Sequence, residues 1–170
     1  MISLAEFHAQ GHEEAMDQVM GWCNCVNWAA DIIAQRPFAN LEALRQSCIS
    51  RWQQASSAEV EEALAAHPLI GDVALLQAKF VTASDDRAKV NTAFAEQGQV
   101  LEASTATLNE LARLNVAYKK RHGFIFIIFA KHLSAEEMLA AIAARIDNDS
   151  DKEFAQAAAE QTKIMMARID

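Results

Sequence analysis

The sequence predicts an all-α protein, a single compact, bundle-like domain of about eight helices over residues 1–170. Three observations carry that expectation. Alanine is abundant, and the chain is 52% hydrophobic with only 5 Gly and 2 Pro, a balance that favours helices over a turn-rich β fold. Four Ser-x-x-Glu spacings fit the capping box, in which a serine hydroxyl and a glutamate carboxylate satisfy the free amides of a helix start. The segments behind them repeat apolar residues at helical spacing.

Taken in order, Ser3 with Glu6 opens the first helix. His8 and His12 stand four apart, a spacing that can bind metal, but no distant ligand group accompanies them and no metal is expected. Cys23 and Cys25 form a C-x-C pair, and Cys48 is the only other thiol. Without a second pair or a histidine cluster they read as reduced core cysteines of a cytosolic protein. Arg36-Pro37-Phe38 reads as a helix stop followed by a packed aromatic, and Asn40 caps the next helix.

Ser56 with Glu59 starts a helix whose favourable run ends at Ala66. His67-Pro68-Leu69-Ile70-Gly71-Asp72 follows. Pro68 removes a donor and biases the residue before it away from helical geometry, and Gly71 permits a tight turn. A histidine at a helix exit has two readings: an acid/base group matched to neutral pH, or a cap that complements the helix dipole.

Ser84 is a further cap. Glu96-Gln97, behind Thr92-Ala93-Phe94-Ala95, reads either as a carboxylate beside an orienting amide or as a solvated helix face. Gly123 ends a helix before Phe124-Ile125-Phe126-Ile127-Ile128-Phe129, which is aromatic and β-branched but has no partner strand. It is read as a buried helix start or a buried extended segment; if extended, its backbone polar groups need partners, which a bound polar ligand could supply. Ser134 with Glu137 begins a helix whose Met138, Leu139, Ile142 and Ile146 share one face, and Ser150 with Glu153 begins the last. Arg145 and Arg168 lie near helix ends, where dipole complementation is the default reading.

A formal net charge of −8 argues against a nucleic-acid partner, which requires a basic surface. It does not oppose a small anionic substrate, because one local arginine can reverse the field in a cleft. No apolar run approaches the ~18 residues of a membrane span, and Met1–His12 is not an apolar leader, so a cytoplasmic location is expected. No phosphate loop or nucleophile elbow is present. On the residues alone, a helical interaction module and a metal hydrolase using His8 and His12 compete with a cleft enzyme.

Seven blocks in order alter that balance. They are Asn27-Trp28 through Phe38, His67 to Asp72, Glu96-Gln97, Leu114-Asn115-Val116-Ala117-Tyr118, Gly123 to Ile127, Arg145-Ile146-Asp147-Asn148-Asp149, and Ala167-Arg168-Ile169. Together they resemble the 2-oxo-4-hydroxy-4-carboxy-5-ureidoimidazoline (OHCU) decarboxylase family of urate catabolism, over nearly the whole chain. The resemblance implies a homodimeric, cofactor-free carboxy-lyase that makes (S)-allantoin. It implies catalytic roles for His67 and Glu96, and substrate contacts at Pro68, Ala93, Gln97, Phe126, Ile127, Ile128 and Arg168. The family usually has serine where this chain has Ala93, and proline where it has Ile125.

Overall fold

The computed structural model describes residues 3–67, 105–131 and 133–169, and every regular element among them is an α-helix. In chain order these are α1 (Leu4–Ala9), α2 (His12–Trp22), α3 (Val26–Ala34), α4 (Leu41–Trp52), α5 (Ser57–Ala65), α6 (Thr105–His122), α7 (Ala135–Arg145) and α8 (Ser150–Ile169). The all-α expectation holds.

Local chemistry explains most of the helix starts. Ser3, Ser56 and Ser134 each accept from the amide three residues on, while Glu6, Glu59 and Glu137 reach back to the cap amide. Asn40 caps α4 through Ala43 N at 2.8 Å. The fourth expected box does not form. Asp149 caps α8 instead, its Oδ1 accepting from Asp151 N at 3.0 Å and Lys152 N at 3.3 Å. Ser150 Oγ meets His122 Nδ1 at 3.0 Å, and Glu153 turns inward to Arg145. The partly buried Arg145 guanidinium outcompetes a solvent-exposed cap amide for that carboxylate. The expected cap at Ser84 lies outside the described residues.

The described residues fall into two compact units. The first comprises the chain up to His67 together with the stretch from Gln156 onward. In it α2 packs on α3 and α3 on α4. Its core holds Phe7, Val19, Trp22, Trp28, Ile32, Leu64 and Met165, and the three free cysteines, Cys23, Cys25 and Cys48, are all buried. Two indoles secure their polar edges: Trp28 Nε1 donates to Cys48 O at 3.2 Å and Trp52 Nε1 to Ala158 O at 3.1 Å. Arg36-Pro37-Phe38 is structural, as expected. Phe38 is buried, and Arg36 Nη1 donates to Phe7 O at 2.9 Å and Gln10 O at 3.1 Å.

The second unit comprises the described residues from 105 to Ala155. Here α6 packs on α7 around Leu111, Tyr118, Phe126, Ala135, Met138 and Ile142. Leu139 and Ile146 join from the expected α7 face. Gly123, at φ +86, ends α6, and its amide returns to Lys119 O at 2.9 Å.

Candidate active site

His67 is placed by α5, and α5 is pinned along its length. At its start Arg51 pairs with Glu59 and also with Asp31. The Ser56 amide and the Arg51 guanidinium hold the Glu59 carboxyl down at about 2. Further along, Glu62 Oε1 accepts from Val26 N at 3.0 Å, supplying the acceptor that the α3 cap residue Cys25 does not. The helix then stops. Ala66 is its cap, and His67 N still reaches Leu64 O at 3.2 Å. His67 thus stands at the exit of a fixed helix.

Its side chain is half-buried. His67 Nε2 lies 2.7 Å from Oε1 of Gln161, a fully buried residue of α8. Burial pushes the imidazole pKa below its ordinary value, the Gln161 bond opposes that, and the nearby charge of Arg168 adds to the depression. The neutral ring is therefore favoured near pH 7.

Arg168 follows Gln161 by seven residues on α8, so the two share a helix face. Its Nη1 donates to Gly21 O at 3.2 Å and Trp22 O at 3.3 Å. These are carbonyls at the C-terminal end of α2, where helices leave acceptors free and carry partial negative charge. Arg168 does complement a dipole, but of another helix. That contact also orients the guanidinium.

The other group of expected contacts lies in the second unit. Residues 124–129 are neither helical nor paired in a sheet, which excludes the helix-start reading. Ile125, Phe126 and Ile127 are buried. Ile127 O accepts from Arg145 Nη1 at 2.9 Å, and the same guanidinium lies 4.6 Å from the Phe126 ring centroid. Arg145 Nε donates to Glu153 Oε1 at 2.6 Å; Tyr118 OH meets that oxygen at 2.6 Å and Asn148 Nδ2 the other at 2.9 Å. Burial pushes the Glu153 carboxyl up, but these donors outweigh it and hold it below the usual range. Burial and the carboxylate push the Tyr118 phenol up. Arg145 is thus more than a dipole partner of α7, since it anchors the segment that carries three expected contacts.

The structure therefore brings His67 and Arg168 into one neighbourhood and gives Phe126 and Ile127 an anchor. Pro68, Ala93, Glu96 and Gln97 lie outside the described residues. Sequence reasoning missed Gln161, although its seven-residue spacing from Arg168 signals a polar side chain on the same face. His8, the first of the histidine pair, serves structure: its Nε2 accepts from Phe38 N at 3.0 Å.

Comparison with known proteins gives a consistent result. Residues 8–170 match the family model for OHCU decarboxylase. A uric acid degradation bifunctional protein of Arabidopsis thaliana is 33% identical over 147 residues, 86% of this chain and 44% of that protein. The chain thus spans less than half of that relative. The 2-oxo-4-hydroxy-4-carboxy-5-ureidoimidazoline decarboxylase of Haloferax volcanii is 27% identical over 143 residues, 84% of this chain and 79% of that protein. Among solved structures, an OHCU decarboxylase crystallised in the presence of (S)-allantoin matches with a TM-score of 0.71 and 29% identity. That match covers 90% of this chain and 94% of the other.

Proposed function

Because the chain belongs to the OHCU decarboxylase family, whose model it matches over residues 8–170, we propose that His67 and Glu96 share the proton work of its reaction. That reaction is the loss of CO2 from 2-oxo-4-hydroxy-4-carboxy-5-ureidoimidazoline to give allantoin, a step of urate degradation. The single observation that carries the His67 assignment is its setting: a half-buried imidazole, kept neutral by burial and hydrogen-bonded at one nitrogen to Gln161.

The substrate explains why no cofactor is required. Its carboxylate sits on the hydroxyl-bearing ring carbon, next to a C=N bond. When CO2 leaves, the electron pair from the broken C–C bond flows toward that C=N, so the substrate is its own electron sink. Cofactors such as pyridoxal phosphate ordinarily supply one. Proton movements complete the reaction. The ring nitrogen gains a proton, the hydroxyl loses its own to become the carbonyl, and the neighbouring carbon gains one. Delivery of that last proton to one face gives the S enantiomer.

A neutral His67 accepts the hydroxyl proton, and Glu96 tunes the imidazole or protonates the intermediate. Gln97 orients a polar edge of the substrate, and Pro68 and Ala93 are the further substrate contacts that the family resemblance implies. Arg168, already aligned by α2, holds anionic or carbonyl oxygens. Backbone groups of Phe126, Ile127 and Ile128 meet the ring. The protein works as a cytoplasmic homodimer; the free cysteines support a reducing compartment.

Circular dichroism on freshly generated substrate tests the activity. Enzyme must make the S enantiomer faster than the spontaneous reaction makes racemate; racemic product at the uncatalysed rate would refute it. His67→Asn tests the residue. General acid/base catalysis is worth about 10²–10⁴-fold, so turnover falls by that factor. Wild-type turnover would remove His67 from the chemistry.

A further inference from the structure

We propose that Gln161 is a positioning residue that holds the His67 imidazole with its proton on Nε2, leaving Nδ1 as the atom that takes and returns the proton. The inference rests on the reading of His67 as the acid/base group.

The geometry carries it. The contacting atom of Gln161 is its carbonyl oxygen, Oε1, at 2.7 Å from His67 Nε2. A carbonyl oxygen only accepts, so Nε2 must carry a hydrogen. This holds for the neutral ring and for the imidazolium alike. The proton that comes and goes must then be on Nδ1. Gln161 is 0% exposed, so packing keeps its amide from turning freely. Its amide nitrogen has no hydrogen-bond partner among the described residues. The neighbouring Cys23 thiol is pushed up to about 12 by burial, so it stays protonated and adds no charge.

The choice of an amide has a chemical consequence. A carboxylate at this position would also accept from Nε2, but its charge would stabilise the imidazolium and raise the ring's pKa. The amide orients without charging. Among the described residues, the ionisable groups around the pair are Arg168 on α8, Cys23 at the end of α2, and Glu62 on α5, whose charge reaches Cys23. Of these, Arg168 acts on His67 directly, and it too favours the neutral ring. Gln161 and Arg168, seven residues apart, thus act in concert: one selects the tautomer and the other adds to the burial that keeps it neutral.

The test uses the full chain labelled with 15N-histidine. A long-range 1H–15N spectrum above the titration of His67, assigned by the signal lost in His67→Asn, is expected to show the Nε2–H tautomer. An Nδ1–H tautomer would overturn the proposal with no need of a variant at Gln161. Two substitutions then follow. Gln161→Met keeps the length and removes the acceptor; kcat falls about tenfold, the scale of one neutral hydrogen bond, with KM within about twofold. Gln161→Glu keeps the acceptor and adds charge; the acidic limb of kcat/KM moves up by about one pH unit or more. Unchanged kcat in Gln161→Met, or an unmoved limb in Gln161→Glu, would overturn it. Failure of the underlying reading looks different: His67→Asn would turn over normally while the wild-type spectrum still showed Nε2–H.

Discussion

Arg145→Met would test whether the second unit's buried ion pair holds the Phe-Ile segment in place. The substitution keeps an unbranched, apolar side chain and deletes the guanidinium. Three contacts vanish together: the pair with Glu153, the 2.9 Å bond to Ile127 O, and the stacking over Phe126. Among the described residues, Glu153, at 0% exposure, keeps only Tyr118 and Asn148 as donors. Removing one member of a buried pair costs about 3–5 kcal/mol, chiefly through the charge left behind. The Ile127 and Phe126 contacts belong to the same network and are not added separately. For a chain of this size that loss corresponds to a Tm drop of about 10–15 °C. Urea unfolding and calorimetry read it directly. The pH dependence supplies an independent sign. Glu153 titrates lower in the folded protein than unfolded, so its stabilisation is complete above about pH 4.3 and is lost as the pH falls through the folded value. In Arg145→Met the abandoned carboxyl prefers its proton, so the gap between variant and wild type must narrow on acidification. Arg145→Met/Glu153→Met should recover part of the loss, because no charge is stranded. A loss below about 1 kcal/mol, or a double variant no better than the single, would refute the reasoning.

Three further outcomes are expected. Gly123→Ala should cost about 1–2 kcal/mol in urea unfolding, from the positive φ alone, since an added Cβ there meets no atom within 4 Å. The acidic limb of the kcat/KM profile should lie below about pH 6.5, because folding depresses His67 and activity is lost only when the ring takes its proton; a limb above that value would contradict the burial argument. Arg168→Lys should raise KM, since an ammonium keeps the charge but cannot present a planar fork between the α2 carbonyls and a substrate; unchanged substrate kinetics would argue against direct contact.

The features readable in advance are those decided within one helical turn. Ser3, Asn40, Ser56 and Ser134 each find a partner three residues away, so the pattern in the chain is the contact in the structure. The face of α7 and the glycine stop at Gly123 are equally local. Ser150-x-x-Glu153 has the same spelling and a different outcome, because four cap-competent residues, Asp147, Asn148, Asp149 and Ser150, stand in a row there. The choice among them is made by residues the local pattern does not contain: His122 takes Ser150 and Arg145 takes Glu153.

The site follows the same division. That a helix ends at His67 is local information, and it was legible. That the imidazole is neutral depends on its burial and on the charge of Arg168, and its hydrogen-bond partner is Gln161, 94 positions away. Periodicity places both α8 residues on one face but does not say what that face meets. The ordered resemblance reached Arg168 because that position belongs to a recognisable block, and it passed over Gln161, which belongs to none. A residue that acts only through another leaves a weak mark on sequence: its chemistry is an ordinary amide, and its role exists only once the fold has brought His67 to it. For that reason the tautomer of His67 is a sharper test of the site than the identity of its histidine. The histidine can be recognised from its neighbours in the chain, whereas the proton on Nε2 requires the fold to have closed correctly around it.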